Sequence, residues 1–169
     1  MQNIDDLLEA IGKEARRIEE DSIHSAKSHF NAADIWNKRH YWLGIPATIL
    51  GAAAGAAMIK ELPEIAGILS LTATILTGLI TFLKPPEIAA THKTSADQYL
   101  ALRNDARVFR EVDLIQHNDM GTLSDMLKAL SQRRNELNQG SLVIPRAAFE
   151  KARKGITEGE TNYKADQEI

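Results

Sequence analysis

Two runs of the chain, Trp42 to Ile59 (WLGIPATILGAAAGAAMI) and Ile65 to Leu83 (IAGILSLTATILTGLITFL), contain no Asp, Glu, Lys, Arg or His. Only Lys60-Glu61-Leu62-Pro63-Glu64 separates them. At about 1.5 Å per residue each run reaches roughly 27–29 Å as a helix, close to the ~30 Å hydrocarbon core of a bilayer. So short a linker makes the two helices antiparallel neighbours, and Pro63 suits the turn. A helix that is apolar on every face needs apolar surroundings along its whole circumference. The rest of the 169-residue chain is amphipathic or charged and too short to enclose two such helices. The sequence therefore predicts an all-α membrane protein. A two-helix transmembrane hairpin (42–83, spans 42–59 and 65–83) joins a cytoplasmic amphipathic helix (1–41) to a cytoplasmic helical region (84–156) and a polar tail (157–169). The flanking segments are expected to pack into one cytoplasmic bundle.

The average composition conceals this division. A mean hydropathy of −0.25 looks soluble because the charged flanks outweigh the two runs. A net charge of −3 gives no reason to expect nucleic acid as a partner, and the absence of cysteine excludes disulfides, thiolate catalysis and Cys-based zinc sites. Met1 to Asp6 is acidic and then amphipathic, so the expectation is that no secretory signal is present. Lys27, Lys38 and Arg39 precede the first run, and Lys84 and Lys93 follow the second. The linker has Lys60 alone, beside Glu61 and Glu64. The positive-inside rule then sets both termini in the cytoplasm, with Trp36, Tyr41 and Trp42 as interfacial aromatics on that side.

Within the runs, Gly51 and Gly55 form a GxxxG that Thr48 and Ala52 extend into a face of small residues. Such a face admits a close helix neighbour, either the second run or another subunit. Gly44 and Pro46 suit a kink in the first helix near its start, or the start itself. Ser70, Thr74, Thr77 and Thr81 recur at the spacing of one helical face, a candidate pore lining. The alternative is that these hydroxyls bond their own i−4 carbonyls or join helices.

Outside the runs, Ile4, Leu8, Ile11, Ala15 and Ile18 alternate spacings of four and three, as do Ile88, His92, Ser95, Tyr99, Leu102, Ala106 and Phe109. This spacing predicts two packing seams on helices that meet. Pro85-Pro86 ends one helix and opens the next; His117 to Gly121 and Gly140 to Pro145 read as breaks. Leu123, Leu127, Leu130 and Leu137 mark a further helix, Arg146 to Ile156 a short last one, and the tail from Thr157 is expected to fray. Leu142-Val143-Ile144 is the only strand-like stretch. No phosphate-cradling glycine loop, nucleophile elbow or HExxH is present, so neither an enzyme nor a cofactor is expected. His24 and His29 are five apart, the wrong spacing for two metal ligands on one helical face, and His92 on its seam reads as a hydrogen-bonded structural histidine. Arg103, Arg107 and Arg110 form a basic stripe that suits a phosphate-bearing ligand or a partner, or a solvated face with Asp105 and Glu111 as neighbours. With no charge in either run, a proton-coupled transporter is disfavoured.

The entry Trp42-Leu43-Gly44-Ile45-Pro46, the small-residue first run and the short turn lead to the exit Ile75-Leu76-Thr77-Gly78-Leu79…Thr81-Phe82-Leu83-Lys84-Pro85. Glu87, Ala89, His92, Ala96, Tyr99, Leu102 and Arg107 follow. This pattern resembles the SLATT family of bacterial two-transmembrane effectors, over about Ile4 to Gly159. Lys84 departs from it, since a small polar residue such as Asn is expected there. The resemblance implies a homo-oligomeric pore-forming effector of antiphage defence in the bacterial inner membrane. Activation would come from a nucleotide second messenger or a sensor partner. A non-conducting scaffold that recruits or regulates a partner through its cytoplasmic helices is the alternative.

Overall fold

The computed structural model describes residues 2–116 and 119–163. They form helices α1 (Gln2–Ile59), α2 (Pro63–Leu83), α3 (Pro85–Val108), α4 (Leu114–Gln116), α5 (Met120–Gly140) and α6 (Arg146–Thr157). A π-helical turn, Phe109–Asp113, joins α3 to α4, and no strand occurs among the described residues. His117 and Asn118, read as part of a break, lie outside the described residues.

Two of these helices are long and apolar enough to cross a membrane. Their most apolar stretches are only 17% and 11% buried, unlike core helices of a soluble bundle. The first of these does not begin at Trp42. Helix α1 runs unbroken through Gly44 and Pro46, so the expected short helix 1–41 and the first apolar run are one element. Pro46 lacks the N–H that would reach Trp42 and its ring crowds the Trp42 carbonyl, but its φ is already helical. Nearby, the Thr48 hydroxyl donates to the Gly44 carbonyl at 2.9 Å.

The chain leaves α1 by a left-handed cap. Glu61, at φ 59°, donates its N–H to Met58 O at 3.1 Å, and Leu62 donates to Ala57 O at 3.0 Å. These are the two bonds of a Schellman closure, usually built on glycine, and Pro63 then opens α2 from its first position. Helix α2 ends the same way: Lys84 has φ 45° and ψ 51°, and its N–H caps Ile80 O at 2.9 Å. Asn tolerates that conformation better than Lys, which gives a physical reason for a small polar residue there.

The fold divides into two compact units. One is Ala33–Ala90, the end of α1 with α2 and the start of α3. Here Ala33, Ala47, Ala54 and Ala57 of α1, Ala66 of α2 and Pro85 and Ala89 of α3 are buried, with Leu69, Ala73, Leu76 and Ile80 half-buried along α2. Gly44 faces Ile80, where an added Cβ would lie 3.7 Å from Ile80 Cδ1. Large apolar side chains of both runs are exposed, including Trp42 (79% exposed) and Phe82 (92%).

The second unit takes α1 up to Ala32 and the chain from Thr91 onward. The seams expected on α1 and α3 are its core. Ile11, Ala15, Phe109 and Leu123 cluster with Leu8, Leu114 and Met126, and Ile18, Leu102 and Ala106 with Leu127, Leu130 and Leu137. Ile4, at the outer end of the predicted seam, is exposed. On α1 the seam continues past Ile18 through buried Ser22, Ala26 and His29. Helix α5 starts at an Asp119 cap whose carboxylate accepts the N–H groups of Gly121 (3.3 Å) and Thr122 (2.9 Å). The Thr122 hydroxyl, which donates to the same carboxylate, and then those backbone bonds hold the Asp119 carboxyl below its ordinary pKa. Helix α6 buries Ala148 and Ala152, and Asn31 donates to Ala148 O at 3.2 Å.

Candidate functional site

In the apolar unit, α2 presents Ser70, Thr74, Thr77 and Thr81 on an exposed face. Thr74, Thr77 and Thr81 line a groove of about 540 Å³ with Ala47, Gly51, Ala73, Gly78 and Phe82. Ser70 and Gly55 stand outside it. Each threonine hydroxyl donates to its own helix: Thr74 to Ser70 O (2.8 Å), Thr77 to Ala73 O (2.9 Å) and Thr81 to Thr77 O (3.0 Å). Thr72, off the face, does the same to Ile68 O at 2.9 Å. Their protons are therefore committed to backbone, and what faces the groove is acceptor lone pairs and methyl groups.

The small-residue face behaves differently from one expectation. Nothing lies within 4 Å of a Cβ built on Gly51 or on Gly55, so neither glycine is a close contact within the chain. Alanines supply that contact instead: Ala47, Ala54 and Ala57 occupy the buried side, and Gly51 and Gly55 face outward. Steric economy within the pair does not explain the GxxxG.

In the charged unit, Arg103, Arg107 and Arg110 stay together, but not as a solvated stripe. Arg103 is only 8% exposed. Glu19, on α1, sits between two of them: its carboxylate accepts from Arg110 Nε and Nη2 at 3.3 and 3.2 Å and lies 3.9 Å from Arg103 Nε. Glu111 also pairs with Arg110 at 2.9 Å, whereas Asp105 turns away to Arg133 at 2.5 Å. The π-helical turn carries Phe109 into the core and Arg110 to Glu19. Arg103 and Arg110, but not Arg107, border a cavity of about 560 Å³ with Arg16, Glu19, Glu20 and His24.

The same unit buries a histidine pair. His29 Nδ1 and His92 Nδ1 are 2.9 Å apart, and the His29 ring stacks on Tyr99 at 5.6 Å and 16°. Tyr99 donates its hydroxyl to Asn138 Oδ1 at 2.8 Å. One proton fits between two facing Nδ1 atoms; a second would set two N–H groups and a charge against each other. Burial, then the neighbouring His92, lowers His29 to about 4, and burial lowers His92. His92 thus has the hydrogen-bonded structural place expected of it. Among the described residues no cluster of three His, Cys, Asp or Glu could hold a metal ion.

Sequence reasoning missed Glu19, His29 as the partner of His92, and Tyr163. The first two lie on the α1 face that continues the seam, so extending the four–three count past Ile18 finds His29 and places Glu19 beside it. Tyr163 carries no periodic signal. The chain matches no protein-family profile, no curated protein and no solved structure.

Proposed function

We propose that this chain is an oligomeric, pore-forming membrane effector that permeabilises the bacterial inner membrane in antiphage defence, triggered by a nucleotide second messenger or a sensor partner. The observation that carries the membrane part is the exposure of the two long apolar helices. Their outward faces offer apolar side chains, the Ser70 hydroxyl and back-bonded threonines, a surface better satisfied by lipid than by water. On this reading the helical pair is a transmembrane hairpin, both termini are cytoplasmic by the distribution of Lys and Arg, and the charged unit is the cytoplasmic bundle. The outward Gly51–Gly55 face is open to a second copy, in keeping with a closed homo-oligomer. Defence and the trigger follow from the SLATT resemblance.

Ion flux through liposomes reconstituted with the purified chain tests the function. Flux is expected, and Thr74→Val with Thr77→Val is expected to reduce it while the oligomer persists. Thr72→Val, off the groove, should be nearly silent. Reporter fusions at Met1, Glu61 and Ile169 test the topology; an external C-terminus sinks the hairpin as drawn.

One observation favours the second reading, a non-conducting scaffold that engages a partner through its cytoplasmic helices. The threonine protons are all spent on backbone carbonyls, so the groove wets less readily than a free hydroxyl face would. An oligomer without flux decides for it.

A further inference from the structure

The segment after α6 was expected to fray, yet through Tyr163 it folds back along the charged unit. Glu158 caps Lys154 O, Gly159 turns the chain at φ 83°, and Glu160 pairs with Lys27. The pairing needs Gly155, because a Cβ there would run into the Glu160 carboxylate and the Lys27 ammonium. The segment then delivers Tyr163 onto the arginines. Its ring lies 4.7 Å from the Arg103 guanidinium carbon and 4.9 Å from that of Arg107, and its hydroxyl oxygen accepts from Arg103 Nη1.

Beneath the ring the charges do not balance. Glu19 serves both Arg103 and Arg110, Glu111 serves Arg110 again, and among the described residues Arg107 has Tyr163 and no carboxylate within ion-pair distance. Arg103 is more than nine-tenths buried, and its Nε has no hydrogen-bond partner. A buried guanidinium donor normally finds an acceptor, and the Glu19 carboxylate, at 3.9 Å, is beyond hydrogen-bond reach of this one. The cavity of about 560 Å³ that it borders is polar and open enough to admit a small solute.

We propose that this cavity binds a phosphate-class anion, and that residues 158–163 are a strap that walls one side of it and occupies its arginines, the Tyr163 hydroxyl oxygen holding the place of an anion oxygen on Arg103. Guanidinium forks match phosphate oxygens, and the cavity wall carries three guanidinium groups, Arg16, Arg103 and Arg110, against the two carboxylates of Glu19 and Glu20. The strap is held by an exposed ion pair at Glu160 and a cation–π stack at Tyr163, both weak interactions, so a ligand can displace it. The inference stands independently of the membrane reading.

The test is calorimetric titration of inorganic pyrophosphate, at low salt, into the full chain in mild detergent. A strap docked about nine-tenths of the time weakens apparent affinity about tenfold, so Tyr163→Ala should bind pyrophosphate about tenfold tighter than the parent. Adding Arg103→Gln should abolish the gain. Glu160→Gln frees the other anchor without touching the cavity and should tighten binding by a smaller factor, which keeps the test alive should Tyr163→Ala fold poorly. Equal affinity in the parent, Tyr163→Ala and Glu160→Gln overturns the strap. Binding that survives Arg103→Gln, or no binding in any variant, overturns the site.

Discussion

The two compact units use one packing rule and fill it oppositely. In the charged unit the four–three seam of α1 carries Ile11, Ala15, Ile18, Ser22, Ala26 and His29, and the outer faces carry ion pairs such as Arg16–Glu20 (3.0 Å) and Arg134–Asp21 (3.3 Å). In the apolar unit the seam of the same helix narrows to Ala47, Ala54 and Ala57, and the large side chains point outward. A seam of small residues brings two helices close by van der Waals contact and gains little from removing apolar surface from water. A seam of large ones, under a charged exterior, draws its stability from that removal. Seam spacing therefore reports where helices meet, and the opposite face reports the solvent.

The largest effect that separates the units is a cavity. Phe109, fully buried, should cost about 3–5 kcal/mol on truncation to alanine, whereas Phe82→Ala, with its side chain outside, should stay within about 0.5 kcal/mol. Thermal melting in mild detergent compares them, and equal losses would mean that Phe82 is covered by a second copy.

Acid should act on the charged unit alone. His29 is lowered to about 4, below its unfolded value near 6.5, so the unfolded chain binds the extra proton first. The contribution is complete above about pH 6.5 and drains away as the pH falls towards 4, a loss of roughly 2–3 kcal/mol. His29→Gln should flatten the stability profile over that window; an unchanged profile breaks the assignment. The next effect is smaller. Glu19→Gln preserves shape but leaves Arg103 and Arg110 without their shared carboxylate, at an expected cost of about 1–2 kcal/mol in thermal denaturation. Smallest for the isolated chain is Gly51→Leu with Gly55→Leu. Both positions have open space, so melting should shift by less than about 0.5 kcal/mol while cross-linking of copies falls. A large stability loss would instead place those glycines inside the fold.

Much of this architecture was legible in the sequence, and the failures have physical causes. The seam from His92 to Phe109 is buried at every predicted position, because a helix shows its packed face through spacing alone. The α1 seam was lost after Ile18 since Ser22, Ala26 and His29 are small or polar, and hydropathy does not mark them. Gly44 and Pro46 suited either a kink or a beginning; the helix does not begin there, since a proline costs a long helix one hydrogen bond and a local clash, which the surroundings can absorb. The arginine stripe was visible and its environment was not. Glu19 is 91 positions from Arg110, and Tyr163 arrives by a turn at Gly159, so neither follows from local periodicity. The hydroxyl face of α2 is exposed, its threonines carry the bonding of the alternative reading, and Ser70 stands outside their groove.

That bonding has a consequence for biogenesis. A free hydroxyl entering hydrocarbon must leave its water behind, and a membrane segment rich in them is held back at insertion. Thr48, Thr72, Thr74, Thr77 and Thr81 each carry their acceptor within their own helix, one turn back. On the proposed membrane reading, each segment partitions into the bilayer as a finished helix before it has any neighbour, and helix association follows as a separate stage within the lipid.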